Sequence, residues 1–390
     1  MSRRRSTVAE RAAHVGREVA APAAEAVDRE ARFPHEAMAA LREARLLGAP
    51  VDSGLGGEGA AFAEIAEACH ALGQHCANTA MVFAMHQIQL ACLIDHGRDR
   101  DWPRDFLREV ATRQLLLASA TTEAATGGDT SRSDCAVEAA GGRIGFLKQG
   151  CVISYAEQAD AVLVTARRGP ASPPSDQVLC VARRDDLRLE PAGGWDVLGM
   201  RGTCSATWHL QFTGLPEQVL PVPYATVLEQ TMLPVCHTLW SSLWLGIAAD
   251  ALGRAGGFLR TRARQHPTER PAGARRLAEA LTTLDVARGH VAGGVRSYEQ
   301  SRAAGAEQRG LGFGLAMNGL KTRTSATALG LVQDALQVCG IAGYRNGTAW
   351  SVGRHLRDIA SAPIMVNNDR IAEATATMAL MARPRETLLP

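Results

Sequence analysis

Lysine is nearly missing from this chain of 390 residues: Lys148 and Lys321 are the only two among 42 basic side chains, and the rest are arginine. Chemistry through a lysine Schiff base therefore has very few possible carriers. Metal-site spacing is missing as well. The nine cysteines are odd in number and scattered from Cys69 to Cys339, with no CxxC pair to fit zinc or a redox couple, which predicts buried, reduced thiols. An excess of one charge is missing too: the formal net charge is +2, without the concentrated basic face that nucleic-acid binding requires. No run reaches the roughly 18 uninterrupted apolar residues of a membrane span. The N-terminal "MSRRRSTVAERAAHVGREV" carries charge but no apolar core of a signal sequence. The expectation is a soluble cytoplasmic protein with no nucleic-acid partner and no membrane span.

What is present is core material, with 46% apolar and 21% charged residues, and a length that suits two or three domains. Up to about residue 117 the pattern is helical: Phe62, Ile65, Cys69 and Leu72 recur at steps of three and four, as one buried helix face requires. "PHEAMAALREARLLG" places Pro34 near a helix start and Gly48 at a stop. "VDSGLGGEG" reads as a turn joining two helices, since it lacks the Lys-Ser/Thr pair of a phosphate loop and no strand precedes it. From about 118 to 222 come short β-branched runs, "AVLVTARR", "QVLCVARR" and "ATWHLQFTG", between Gly, Pro and Asp turns. From about 223 onward long Ala/Leu-rich segments resume and read as antiparallel bundle helices. The predicted fold is α+β: an all-α N-terminal domain (1–117), a central antiparallel, β-barrel-like domain (118–222) and a C-terminal four-helix bundle (223–390).

Five local motifs sharpen this. "TTEAATGGD" (121–129) resembles the T-E-P-x-A-G-S-D loop of the acyl-CoA dehydrogenase superfamily, and "QGCVISYAEQADAVLVTAR" resembles its G-x-K-x-W-I-T-N-x-x-x-A-D segment. "WDVLGMRGTCS" is similar to its K-x-G-x-R-x-S-x-T turn, "QVCGIAGY" to Q-x-x-G-G-x-G-Y, and "RHLRDI" to the R-x-x-R-D-A run before the last helix. The resemblance implies FAD as cofactor, an acyl thioester of coenzyme A or of a carrier protein as substrate, and an electron-transfer flavoprotein or flavin reductase as redox partner. It implies that the Thr122 hydroxyl and nearby backbone meet the flavin pyrimidine ring and that Ser154 reaches toward flavin N5. Arg262, counted along the helix from Leu245-Gly246, falls at the arginine that contacts a partner subunit's FAD. Gln337 and Gly340 match the segment that grips the adenine-side phosphates of a neighbouring FAD. Shared sites of this kind imply a homo-oligomer, a dimer or tetramer. A guanidinium suits a pyrophosphate, a glycine lets backbone approach a bulky cofactor, and a hydroxyl can bond a ring nitrogen. Taken singly, each has an ordinary alternative as a strand-end hydroxyl, a solvated arginine or a surface glutamine. The chain departs from the family pattern at Gly128, Val152 and Ile341.

The largest departure concerns the base. Family dehydrogenases use a glutamate to remove the α-proton of an acyl thioester, commonly in Y-E-G-T, nine residues after the arginine of R-D. Here that count from Arg357 lands on Val366, within Met365-Val366-Asn367-Asn368. The alternative location on an earlier helix is Cys236, beside His237. His86, on an apolar helix, matches a histidine carried by monooxygenase branches of the family, and also fits a satisfied core histidine. Asn368 and Asp369 read as helix-capping or flavin-side groups. The first functional expectation is α,β-dehydrogenation of an acyl thioester with a non-standard base. A flavin-dependent monooxygenase using reduced flavin and oxygen is the alternative, and a catalytically silent partner subunit the third.

Overall fold

The structure, a computed structural model, describes residues 6–127, 129–305 and 310–382. The chain opens with helices α1 (Val8–Val15), α2 (Ala21–Arg29), α3 (His35–Glu43), α4 (Phe62–Gly73), α5 (Ala77–Gly97) and α6 (Asp101–Arg113). Thr7 starts α1 with a reciprocal cap: its hydroxyl accepts from the Glu10 amide, and the Glu10 carboxylate accepts from the Thr7 amide. Pro34 does precede α3, but the helix stops at Glu43, before Gly48. The stop is made by Arg45 at φ 56° and by the Leu46 amide donating back to Leu41. The "VDSGLGGEG" stretch is the irregular connection from α3 to α4.

Seven strands follow: β1 (Leu117–Ala120), β2 (Glu138–Ala140), β3 (Arg143–Gly150), β4 (Ala161–Arg167), β5 (Gln177–Arg183), β6 (Leu187–Gly193) and β7 (Thr207–Gly214). They form two sheets, ordered β1-β4-β5 and β2-β3-β7-β6. The second is antiparallel throughout and its β3 alternates exposed and buried residues, the mark of a sheet with one wet face. In the first, β4 and β5 pair antiparallel and are buried along nearly their whole length, while β1 pairs with β4 in parallel. The domain is barrel-like only in having two sheets: among the described residues no strand pair joins them, each isolated bridge runs from a strand to a residue outside the strands, as Cys180 to Val219 does, and the ladder does not close.

Helices α7 (Tyr224–Val227), α8 (Leu233–Gln265), α9 (Ala274–Ala304), α10 (Leu311–Cys339), α11 (Ile341–Tyr344), α12 (Gly353–Ile359) and α13 (Asn368–Ala379) complete the chain. The bundle consists of α8, α9, α10 and α13. The α8 and α10 helices run side by side in the same direction, with His237 Nδ1 3.1 Å from the Met317 carbonyl and Lys321 over Trp244 one to two turns further on. The Leu245-Gly246 pair has a steric reason. A Cβ on Gly246 would sit 2.3 Å from the His70 carbonyl oxygen, so α4 and α8 cross backbone against backbone. By length and hydropathy α5 and the stretch Tyr224–Gln265 could cross a membrane, but 83% of each apolar window is buried inside the protein, as in core helices.

Candidate functional site

The candidate site is assembled where three irregular segments meet: 121–127, 150–155 with 199–207, and 358–370. An isolated bridge from Glu123 to Gly150 holds the first against the second. The Ile153 amide donates to Ala206, Tyr155 to Thr203, and the Thr207 hydroxyl to Cys151, which binds 150–155 to the 199–207 turn. The third segment is fastened at both ends. Asp358 Oδ1 accepts from the Met200 amide at 2.7 Å, and Arg370 donates to the Gly127 carbonyl at 3.3 Å. Gly199 is required for this closure, since a Cβ there would lie 2.0 Å from the Arg357 carbonyl oxygen.

Under the first segment lies a buried ion pair. Lys148 Nζ is 2.5 Å from Glu123 Oε1 and donates also to the Thr165 carbonyl, while Glu123 takes the Ser133 hydroxyl and the amides of Asp134 and Cys135. Burial works to raise the Glu123 carboxyl, but Lys148, Ser133 and the Asp134 amide prevail and hold it below its usual range. This pair fixes the backbone beside Thr122. The Thr122 hydroxyl itself is half-buried and makes no hydrogen bond to the described protein. Ser154 is buried, its Oγ 2.7 Å from Ser205 Oγ.

The third segment turns on Val366, at φ 46°, a left-handed conformation that costs a branched residue about 1 to 2 kcal/mol. Its carbonyl accepts from Lys321 Nζ at 2.7 Å, and the same ammonium donates to Asn368 Oδ1 at 2.7 Å. Asn368 therefore faces the bundle, where its amide also reaches Ser325. The helix cap is Asn367 instead, whose side chain accepts from the amides of Asp369 and Arg370, so the capping expectation for Asn368 and Asp369 is corrected by one residue. Burial lowers the Lys321 ammonium to about 8.

None of Val366, Cys236, His237 and His86 has the usual character of a general base. Val366 has no proton acceptor, and its side chain is 48% exposed. Burial pushes the Cys236 thiol well above its ordinary value. Burial lowers His237 to about 4, against the bond to Met317 and helped by the charge of Lys321. His86 is fully buried with both ring nitrogens used: Nε2 is 2.8 Å from the Leu47 carbonyl, and Nδ1 accepts the Leu117 amide at 3.0 Å. That pattern requires the neutral ring with its hydrogen on Nε2, and burial lowers its pKa to about 4. The geometry makes His86 a strut between the helical block and β1, with no nitrogen left for a substrate. Asp369 is exposed in the first turn of α13.

Arg262 and Gln337 are exposed near the C-terminal ends of the parallel helices α8 and α10, and neither side chain has a partner among the described residues. Gly340 follows at φ 57°, ψ −137°, a conformation suited to glycine, and beside it Ile341 and Tyr344 are each 72% exposed. Gly128 lies outside the described residues. Sequence reasoning singled out Thr122 and Ser154 but missed Lys321, Glu123-Lys148 and the Thr203-Ser205 pair behind Ser154. The signal for the lysines was their rarity, since both occurrences in an arginine-rich chain are buried at the site.

The three segments carry polar groups of the kind that hold a cofactor. Thr122 offers a free hydroxyl, Ser154 a buried one, and Trp208 Nε1, on the residue paired with Gly150, is a buried donor; among the described residues neither the Thr122 hydroxyl nor Trp208 Nε1 has a partner. The matches to known proteins agree. Family models for the acyl-CoA dehydrogenase N-terminal domain and C-terminal domain match residues 3–114 and 231–379. The chain belongs to the acyl-CoA dehydrogenase superfamily, whose members are flavoproteins. Cyclohex-1-ene-1-carbonyl-CoA dehydrogenase of Geobacter metallireducens is 26% identical over 371 residues, 93% of each chain. Among solved structures, FMN-bound TdsC of Paenibacillus sp. A11-2, a dibenzothiophene monooxygenase, superposes with a TM-score of 0.83 at 18% identity, covering 98% of this chain and 100% of that one. Butyryl-CoA dehydrogenase of Megasphaera elsdenii gives 0.81 at 18% identity, with the same coverage.

Proposed function

We propose that this flavin oxidoreductase is an oxygenase: it takes FAD in reduced form from a separate flavin reductase and inserts one oxygen atom into its substrate. The observation that carries this reading is that Val366, which motif spacing puts at the position of the family's glutamate, has no proton acceptor in its side chain, while Glu123 and His86 are occupied and the Asp369 carboxylate is exposed to solvent. Glu123 is bound by Lys148, Ser133 and two amides, and His86 by two backbone groups. Removing an α-proton needs a base of matched pKa within reach, whereas oxygen transfer needs no carboxylate for that step. Bound in reduced form, the flavin supplies two electrons which, with two from the substrate, reduce O2 so that one oxygen enters the substrate and the other leaves as water. Thr122 and Ser154 orient the ring system, the Lys148-Glu123 pair keeps their backbone in place, and Lys321 holds the segment that closes over the site. Full FAD is supported by Arg262, Gln337 and Gly340, an exposed guanidinium, amide and bare backbone suited to an adenine-side pyrophosphate held by a second subunit. This makes the working form a homo-oligomer.

One observation favours the second reading, α,β-dehydrogenation of a coenzyme A or carrier-protein thioester. Relatives matched over 93% of this chain are named acyl-CoA dehydrogenases. A single pair of measurements separates the two. With a flavin reductase and NAD(P)H, an oxygenase consumes oxygen and forms a hydroxylated product only in air. A dehydrogenase bleaches its bound FAD without oxygen when an acyl thioester is added, and passes the electrons to an electron-transfer flavoprotein. Anaerobic bleaching at a catalytic rate overturns the oxygenase reading.

A further inference from the structure

Three buried hydroxyls stand in series and end at Ser154. Thr203 Oγ1 is 2.8 Å from the Met200 carbonyl oxygen, Ser205 Oγ is 2.7 Å from Thr203 Oγ1, and Ser154 Oγ is 2.7 Å from Ser205 Oγ. A hydroxyl has one hydrogen and a carbonyl none. The Thr203 hydrogen is therefore committed to Met200. Ser205 must donate to Thr203, and Ser154 must donate to Ser205. The three residues are 3%, 4% and 6% exposed, so bulk water does not compete for these bonds. The carbonyl that sets the direction is itself fixed: it also accepts from Trp195 Nε1 and the Thr203 amide, and the Met200 amide is held by Asp358. Ser154 can offer a ligand lone pairs only.

We infer that Thr203 and Ser205 are positioning residues that polarise Ser154 as a hydrogen-bond acceptor, so that the site binds reduced flavin in preference to oxidised flavin. The inference rests on the reading above that Ser154 faces N5 of the ring. In reduced flavin N5 carries a hydrogen and can donate to Ser154; in oxidised flavin N5 carries only a lone pair, and two acceptors face each other. A buried acceptor pair without a hydrogen between them is disfavoured, whereas the matched pair gains an ordinary hydrogen bond. The preference suits a protein that collects its cofactor already reduced.

The test is the ratio of the dissociation constants of the full-length protein for oxidised and for dithionite-reduced FAD, measured without oxygen. In Thr203→Val the relay loses its terminal acceptor path: Ser205 is free to turn its hydrogen to Ser154, and Ser154 is free to donate outward. In Ser205→Ala the Ser154 hydrogen is released directly. Each substitution is expected to lower the ratio Kd(oxidised)/Kd(reduced) by about 3- to 10-fold, which for a two-electron couple is a fall of roughly 15 to 30 mV in midpoint potential. The double variant is expected to add little to either single one, because both act through the same hydrogen. Ser154→Thr keeps the hydroxyl and is expected to keep the ratio. An unchanged ratio in both single variants, or equal weakening for the two oxidation states, overturns the relay, since a merely structural role moves both constants together. The aerobic product assay of the wild-type protein judges the oxygenase reading separately. A lowered ratio without oxygen-dependent product keeps the relay and removes that reading, and product with an unmoved ratio does the reverse.

Discussion

Lys321 Nζ lies 2.7 Å from the carbonyl oxygen of Val366, so one of the chain's two lysines holds the segment that leads into α13. The same ammonium reaches Asn368 and sits 5.8 Å from the centre of the Trp244 ring, with no carboxylate in ion-pair contact among the described residues. It is a cation satisfied by dipoles and a ring face, and it stabilises a left-handed valine that nothing in its own chemistry favours.

Lys321→Met should therefore separate local from global stability. The buried ammonium is costly and its hydrogen bonds are favourable, so the two contributions offset and overall stability at pH 7 is expected to stay within about 1 kcal/mol. The amides from residue 364 to residue 368 should exchange hydrogen markedly faster, because Val366 has lost its tether. The pH dependence follows from the lowered pKa. Below about 8 the lysine is charged in folded and unfolded chains alike. Between about 8 and its ordinary 10.5 the unfolded chain holds the proton and the folded one does not, so this group makes stability rise with pH. Denaturant titrations across that window should show the rise in the wild-type protein and its loss in the variant; an equal rise in both would assign it elsewhere.

Val366→Glu tests what the site lacks. If the segment is placed as in family dehydrogenases, the new carboxylate supplies the missing proton acceptor, a contribution of about 10² to 10⁴ in rate for a positioned base. FAD-loaded variant should then bleach anaerobically with an acyl thioester at least 100-fold faster than wild type. Equal slow rates across short and long acyl chains would show that the site does not accept acyl thioesters in a reactive pose.

Much of this arrangement could be read from residue patterns, and the rest could not, for reasons that differ by residue. The β4 and β5 runs were legible because continuous β-branched residues suit strands buried on both faces, and α8 and α9 because their apolar periodicity is long. The parallel β1-β4 pair and the open sheet edges were not, since pairing partners far apart in sequence leave no local mark. Thr122, Ser154 and Val366 were singled out through motif spacing, and the structure places all three on the irregular segments 121–127, 150–155 and 358–370. His86 looked chemical because a histidine on an apolar helix has two possible lives, and only the positions of Leu47 and Leu117 decide between them. The Thr203-Ser205 relay stood in a quoted motif, yet its hydrogen direction depends on one carbonyl, which no sequence displays.

Glu123→Gln should be among the most damaging single changes at the site. It leaves the fully buried Lys148 ammonium facing a neutral amide, and breaking one partner of a buried pair costs about 3 to 5 kcal/mol. Since Glu123 bridges to Gly150, FAD affinity should fall with stability. Adding Lys148→Met in the same chain removes the stranded charge and is expected to recover most of the stability while leaving the flavin affinity low. Urea unfolding of the two variants, read alongside FAD titration, checks both halves; a double variant no more stable than Glu123→Gln alone would show that the hydrogen bonds to Ser133 and the amides matter more than the charge.

Asp358 offers the reverse case, a buried carboxylate whose neutralisation should stabilise. Burial pushes it up to about 6, against the pull of Arg354, the Met200 amide and Arg357, and its second oxygen has no hydrogen-bond partner among the described residues. Below its ordinary 3.8 the group is protonated in both states. Between 3.8 and about 6 the folded protein keeps the proton and the unfolded chain releases it, so this contribution falls as pH rises, and above 6 the full cost of burying the charge is present. Asp358→Asn keeps an oxygen for the Met200 amide and carries no charge. It is expected to gain about 1 to 3 kcal/mol at pH 7 and almost nothing near pH 4. His355, lowered by burial to about 4 and bonded to Asp250 at 2.6 Å, titrates in an overlapping range, but it is common to both proteins and drops out of the difference. A loss at pH 7 would mean that attraction to Arg354 and Arg357 outweighs burial, and that the carboxylate is kept ionised to hold the 199–207 turn against α12.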